Sequence, residues 1–284
     1  MAVTAFQAAI LRLLADQRRR RGESYVAGGV ALNVLLARPR RSHDIDLFHD
    51  TNQALLDTWE MDRDALTAAE YDVRVTREAP ALVDAIVSRG QGRTAMQWLR
   101  DSAFRFFPLI EHDLMGLALH PFDLATNKVL AMAGRLETRD WIDVLNCDHS
   151  LQPLGYLVWS ACGKDPGYGP PSLLAVAGRQ HYSQTEIDAL DFEGDAPNAA
   201  ALGRQWHQAL DSATAIVERL PAAHLGTCIV SSDSLELFRG DPAELEQALD
   251  KGSLIFHEGR IGGSWPTVSP APPASGAGDG VVGE

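Results

Sequence analysis

The sequence contains no stretch of about 18 consecutive apolar residues, the least that a membrane-crossing helix needs. Nor does it open with a basic segment running into an uninterrupted apolar one. Neither a membrane span nor a secretory signal peptide is therefore expected, and a cytoplasmic location is. Cysteine is scarce: Cys147, Cys162 and Cys228 are odd in number and far apart, which fits reduced interior thiols and not a disulfide framework. Positive charge is in deficit as well. With 25 Lys and Arg against 38 Asp and Glu, the net charge of -13 argues against a protein that coats nucleic acid through clustered cations. A local phosphate site is still compatible with that balance.

The basic residues that are present gather near the front. Arg18 to Arg21 read as a solvated helix end, whereas Arg38, Arg40 and Arg41 lie just before an acidic pair. Arg41, nearest to that pair, is a candidate nucleotide-phosphate ligand. Cys147 and His149 have no partners at zinc-binding spacing. His43 and His49 read as surface or packing residues. Trp98, Trp141, Trp159 and Trp206 are scattered rather than interleaved with basic residues, so they read as core and not as a base-stacking platform.

A hydrophobic content of 45% is enough for a substantial core. Helical spacing of Phe6, Ile10, Leu11 and Leu14 predicts a helix over 5–18, followed by a strand at 24–27 and a helix over 30–36. Alternation of Asp44, Ile45, Asp46 and Leu47 predicts a strand. Further on we expect a helix at 57–69, a strand at 71–76, a helix at 79–88 and a strand at 94–99. Beyond residue 121 helical patterns dominate, with a Gly- and Pro-rich loop at 163–172. The expected organisation is an α/β domain over 1–121, a mainly helical domain over 122–265 that completes the site, and a disordered tail over 266–284, where Pro, Ser, Ala and Gly prevail.

The informative segment is VAGGVALNVLLARPRRSHDIDLF, residues 26–48. A strand, two glycines and a helix start expose backbone N–H groups that can approach a phosphate with no side chain in the way. Asp44 and Asp46 are two apart on a strand, so both carboxylates face one side. Held together they repel unless a cation lies between them, and a hard divalent ion with oxygen ligands is the natural candidate. The pair fits phosphoryl or nucleotidyl transfer.

These residues resemble the nucleotidyltransferase superfamily, with its glycine pair followed by Asp-x-Asp, and within it the AbiEii/AbiGii toxin-like group. A second segment, DLATNKVLAMAGRLETRDWIDVL (123–145), is similar to that group's downstream Lys, Arg and Arg-Asp-x-x-Asp motif. The resemblance implies an α/β (α+β) fold with a nucleotidyltransferase-type mixed sheet. It implies that Gly28 and Gly29 contact the nucleotide phosphates with support from Ser42, and that Asp44 and Asp46 hold Mg²⁺ or Mn²⁺. Lys128 would bind the triphosphate of an NTP, and Asp143 would complete the site as an additional acid. The acceptor would be a hydroxyl on an RNA end, such as that of tRNA, or on a protein, and a small antitoxin protein would restrain the enzyme. Relatives often carry Ser where Gly29 stands, and a third carboxylate on a later strand where Gln97 stands; Asp101, just beyond, is the candidate for that role. The missing carboxylate keeps open a catalytically weak nucleotide-binding protein with a regulatory or interaction role, and a metal-dependent phosphohydrolase is a further alternative.

Geometry constrains the second motif independently. In one straight helix Lys128 and Asp143 would be about 22 Å apart at about 1.5 Å per residue, too far to share a site. A turn is therefore expected between Arg135 and Thr138, with Gly134 as a weak helix former and Thr138 as N-cap.

Overall fold

The computed structural model describes residues 3–179 and 181–267. In chain order the front half runs α1 (Ala5–Arg21), β1 (Tyr25–Ala27), α2 (Gly28–Leu35), β2 (Asp44–His49), α3 (Asn52–Ala68), β3 (Asp72–Ala79), β4 (Leu82–Arg89) and β5 (Gly92–Arg100), then the short strands β6 (Phe104–Arg105), β7 (Ile110–His112) and β8 (Gly116–Ala118). Seven of these strands form one mixed sheet in the order β3-β4-β5-β2-β1-β8-β7. β2 runs parallel to β5 and antiparallel to β1.

The second half continues α4 (Pro121–Arg135), α5 (Thr138–Ser150), α6 (Leu154–Lys164), α7 (Pro170–Ala177), α8 (Gln184–Asp188), α9 (Ala199–Arg219), β9 (Cys228–Ser231), α10 (Pro242–Asp250), β10 (Leu254–His257) and β11 (Arg260–Ile261). Helices dominate as expected, but β9 and β10 pair with each other and β11 pairs with β6. Of the expected disordered tail, all but Pro266 and Thr267 lies outside the described residues.

One face of the sheet is the core. Ile45 and Leu47 of β2, Val83, Ala85 and Val87 of β4, and Met96 and Trp98 of β5 are buried, as are Ile10, Leu11 and Leu14 of α1 and Leu55, Trp59 and Leu66 of α3. Trp98 meets Trp59 edge-on at 4.7 Å, a geometry that aromatic quadrupoles favour. The tryptophans read as core are buried, and the three cysteines are buried and free.

The helix expected at 79–88 is instead the strand β4. Val83 and Val87 are four apart, which suits a helix face as well as a strand. What decides is that β4 completes a ladder with β3 and β5 on either side, with Ala85 also facing inward. α2 begins two residues earlier than expected, at Gly28, and α3 begins at Asn52 because the Thr51 hydroxyl accepts from the Ala54 amide at 3.1 Å. The loop expected at 163–172 shrinks, since α6 reaches Lys164 and Pro170 opens α7.

One buried acid lies in this core, away from the site. Asp62 of α3 is 2% exposed and accepts from Gln17 Nε2 and Trp98 Nε1, each at 2.9 Å. Burial pushes its carboxyl up to about 6, against the pull of Arg18 and the Trp98 hydrogen bond. The folded chain thus holds this proton more tightly than the unfolded chain does. The stability contributed by Asp62 is full below pH 4 and is lost as pH rises through 6, by about 3 kcal/mol for a two-unit shift. Asp62→Asn removes the ionisation, and Gln17 can turn its amide to suit. In urea unfolding at pH 4.5 and 7.5, the variant should gain about 2 kcal/mol on wild type between the two pH values; parallel curves would contradict the assignment.

Candidate active site

β2 carries Asp44 and Asp46 half-buried on the face opposite Ile45 and Leu47. Asp46 is registered beside Ala27 of β1 on one side and Gln97 of β5 on the other. β1 ends at Ala27, and α2 starts at once on Gly28, whose φ of +63° lies in the left-handed region. A Cβ at this position would sit 1.7 Å from Asp46 Oδ2, so the carboxylate packs directly on the glycine backbone. Only glycine meets both demands. A Cβ on Gly29 would lie 2.8 Å from Ser42 Oγ and 3.0 Å from Arg40 Nη2. Ala27 offers no side-chain cap to α2, so the N–H groups of its first turn depend on another partner.

The opposite wall comes from α4 and α5. Leu136 takes a left-handed φ of 53° and ends α4, and α5 starts at Thr138 with Glu137 as N-cap. The turn expected there forms, one residue ahead of the expected cap. It brings Asp143 within 2.9 Å of Lys128 Nζ. Lys128 also meets Asp140 Oδ1 at 2.8 Å, and Arg135 binds Asp140 through Nε at 2.6 Å and Nη2 at 3.0 Å. Arg40 grips Asp143 with both Nε and Nη2, at 2.8 and 2.7 Å. The result is a fork-on-fork ion pair, with Asp143 fully buried and Arg40 nearly so. Burial pulls the Lys128 ammonium down, but Asp143 and Asp140 outweigh it and hold the proton more firmly than usual.

Gly28, Gly29, Ser42, Asp44, Asp46 and Lys128 line one cavity of about 270 Å³, together with Arg40, Asn127, Arg135 and Arg139. Arg139 Nη1 lies 3.7 Å from Asp44 Oδ2. Among the described residues the Asp46 carboxylate accepts no hydrogen bond and makes no ion pair. Burial pushes its carboxyl up to about 6; Lys128 pulls against that and Asp44 adds to it.

Three of the residues singled out in the sequence sit elsewhere. Asp143 lies behind the cavity wall, gripped by Arg40 and Lys128. Arg41 turns to Asp191, which is 3.5 Å from its Nη1, while Arg40 faces the cavity. Asp101 lines a smaller neighbouring cavity with Tyr25, Arg105 and Lys164. Gln97 occupies the β5 position beside Asp46 and donates to Asp84 Oδ1 at 2.9 Å across to β4. Sequence reasoning passed over Asp84 and Asn127, and gave no role to Asp140, the first acid of the Arg-Asp-x-x-Asp motif. Only Asp140 carried a signal: three residues before Asp143, it shares that residue's helix face.

No family model matches the chain, and no curated protein does. Among solved structures, JHP933 from Helicobacter pylori is similar with a TM-score of 0.50 at 13% identity, over 75% of this chain and 91% of that one. The MenT4 nucleotidyltransferase toxin from Mycobacterium tuberculosis has a TM-score of 0.45 at 15% identity, over 77% of this chain and 84% of its own. At these identities the likeness to JHP933 is one of fold. The mixed sheet with flanking helices that the motifs led us to expect is the architecture observed.

Proposed function

We propose that this chain is a nucleotidyltransferase that moves a nucleoside monophosphate from an NTP to a hydroxyl acceptor. The observation that carries this reading is the placement of Asp44 and Asp46, side by side on β2, against the uncapped glycine start of α2 and facing Lys128, Arg135 and Arg139. Such a cavity has a cation-seeking floor and anion-seeking walls, which is what a metal–triphosphate complex requires.

The donor set suits Mg²⁺ or Mn²⁺. Both ligands are hard oxygens, and the Asp46 carboxyl, free of protein partners among the described residues, has its ionised form penalised by burial. Asp44 and Asp46 would hold the ion, which supplies Lewis-acid stabilisation of charge at the transferred phosphorus when bound. The Gly28 and Gly29 amides and the Ser42 hydroxyl bind phosphate oxygens, and Lys128 and Arg139 offset the charge of the triphosphate. The acceptor oxygen forms a bond to the α-phosphorus, the bond to the bridging oxygen breaks, pyrophosphate leaves, and the acceptor proton passes to solvent. Within the family the motifs resemble, the acceptor would be an RNA end such as that of tRNA or a protein hydroxyl, with an antitoxin protein as a further partner.

A second reading has one observation of its own. Gln97 stands where a third carboxylate would take the acceptor proton, and an amide cannot do so. That favours a nucleotide-binding protein with weak catalysis. Incubating the chain with Mg²⁺, each α-labelled NTP and total cellular RNA separates the two. Under nucleotidyl transfer, label moves to RNA or to the protein and the movement stops with EDTA. NTP binding without label transfer would install the second reading.

A further inference from the structure

The cavity has two unlike ends. Toward Ser42 and Gly29 it is lined by charge and backbone amides. Toward the other end of β2 it is lined by Phe48, by Leu99, which is registered directly beside Phe48 on β5, and by Leu124 of α4. Phe48 and Leu99 lie two residues beyond Asp46 and Gln97 on their strands, about 7 Å further along at about 3.3 Å per residue. This apolar end also carries one polar group, Asn127, which lines both this cavity and its smaller neighbour.

The orientation of that amide is fixed by its partner. Lys164 Nζ lies 2.8 Å from Asn127 Oδ1, while its other contacts, at 3.0 and 2.8 Å, are the Asp123 carbonyl and carboxylate. An ammonium has donors only, so the Asn127 atom that faces it has to be the oxygen. The Nδ2 hydrogens are then left over, and among the described residues nothing accepts them. A half-buried amide with its oxygen committed and its donors free is set to meet an acceptor on a ligand.

Resting on the nucleotidyltransferase reading, we propose that the end formed by Phe48, Leu99 and Leu124 takes the nucleobase, and that Asn127 reads it by donating to an acceptor on the base edge. The direction follows from the phosphate end. With the triphosphate on Gly28, Gly29 and Ser42 and the α-phosphate at the two aspartates, the nucleoside extends away from Ser42, toward Phe48. Apolar side chains suit the faces of a base, and a single fixed donor suits its edge. Lys164 is a positioning residue, acting through Asn127.

The test is equilibrium titration of the full chain with each of the four NTPs and with inorganic tripolyphosphate, all in Mg²⁺, for wild type, Asn127→Leu and Asn127→Ser. Wild type should favour one NTP by about tenfold, the worth of one well-placed hydrogen bond. Both variants should lose that preference and hold tripolyphosphate with unchanged affinity, because the phosphate end is intact. If wild type binds NTPs with no preference, or the variants keep it, the base-reading role is wrong and nucleotide binding stands. If wild type binds neither NTP nor tripolyphosphate, the nucleotidyltransferase reading fails and takes this inference with it.

Discussion

Asp46→Asn should lower nucleotidyl transfer on the order of 10³-fold, the scale of several kcal/mol of metal-supplied stabilisation. The same change should leave the fold intact and make it more stable. Burial pushes the Asp46 carboxyl up to about 6, so at pH 7.5 the folded protein holds it ionised at a cost. An uncharged amide of nearly the same shape removes that cost, worth about 1–2 kcal/mol once discounted for a side chain that borders an open cavity. Activity and stability then move in opposite directions, as expected of a residue kept for chemistry rather than for packing. Transfer assays and urea midpoints on the same preparation check both. A variant that loses activity and stability together would make Asp46 structural.

How much of this was legible in the sequence depends on how local each signal was. The Asp44–Asp46 face was legible because a strand alternates and nothing beyond residues 44–47 is needed to know it. The close approach of Lys128 and Asp143 was legible through a length argument, since only a turn could bring them together, and Leu136 supplies it. The Arg40–Arg41 choice was not. Two adjacent arginines face opposite ways, and the one that faces inward is set by pairing with a distant segment: Arg40 bridges to Phe192, and the Arg41 amide donates to the Asp191 carbonyl at 2.9 Å. The same holds for Gln97 and Asp84, brought together by strand register, and for Asn127 and Lys164, joined across two helices. β4 was misread because Val83 and Val87 fit two periods equally well, and only its neighbours in the sheet decide between them.

Asp143 is where motif and structure invite different experiments. The resemblance casts it as an additional acid of the site; its contacts cast it as the counter-ion that keeps Arg40 and Lys128 in place. Asp143→Ala leaves the Arg40 guanidinium, 3% exposed, with no carboxylate, and Lys128 with Asp140 alone. Removing one partner of a buried pair strands the other charge, at about 3–5 kcal/mol. Replacing both, as Arg40→Met with Asp143→Leu, strands nothing on that side and should recover more than half of the loss, because apolar side chains of similar volume often serve as well as a buried pair. The single variants Arg40→Met and Asp143→Leu and the double variant form a cycle whose coupling energy urea unfolding can read. A favourable coupling above about 2 kcal/mol identifies the pair as the element that fixes α5 against the cavity. Near-additive losses would mean that Asp143 is held by Lys128 alone and that Arg40 is free to turn toward a phosphate. Mg²⁺ titration of the double variant then closes the question. With Asp44 and Asp46 untouched, its affinity for the ion should match wild type if Asp143 only positions its neighbours, and should fall on the order of tenfold or more if its carboxylate helps to hold the metal.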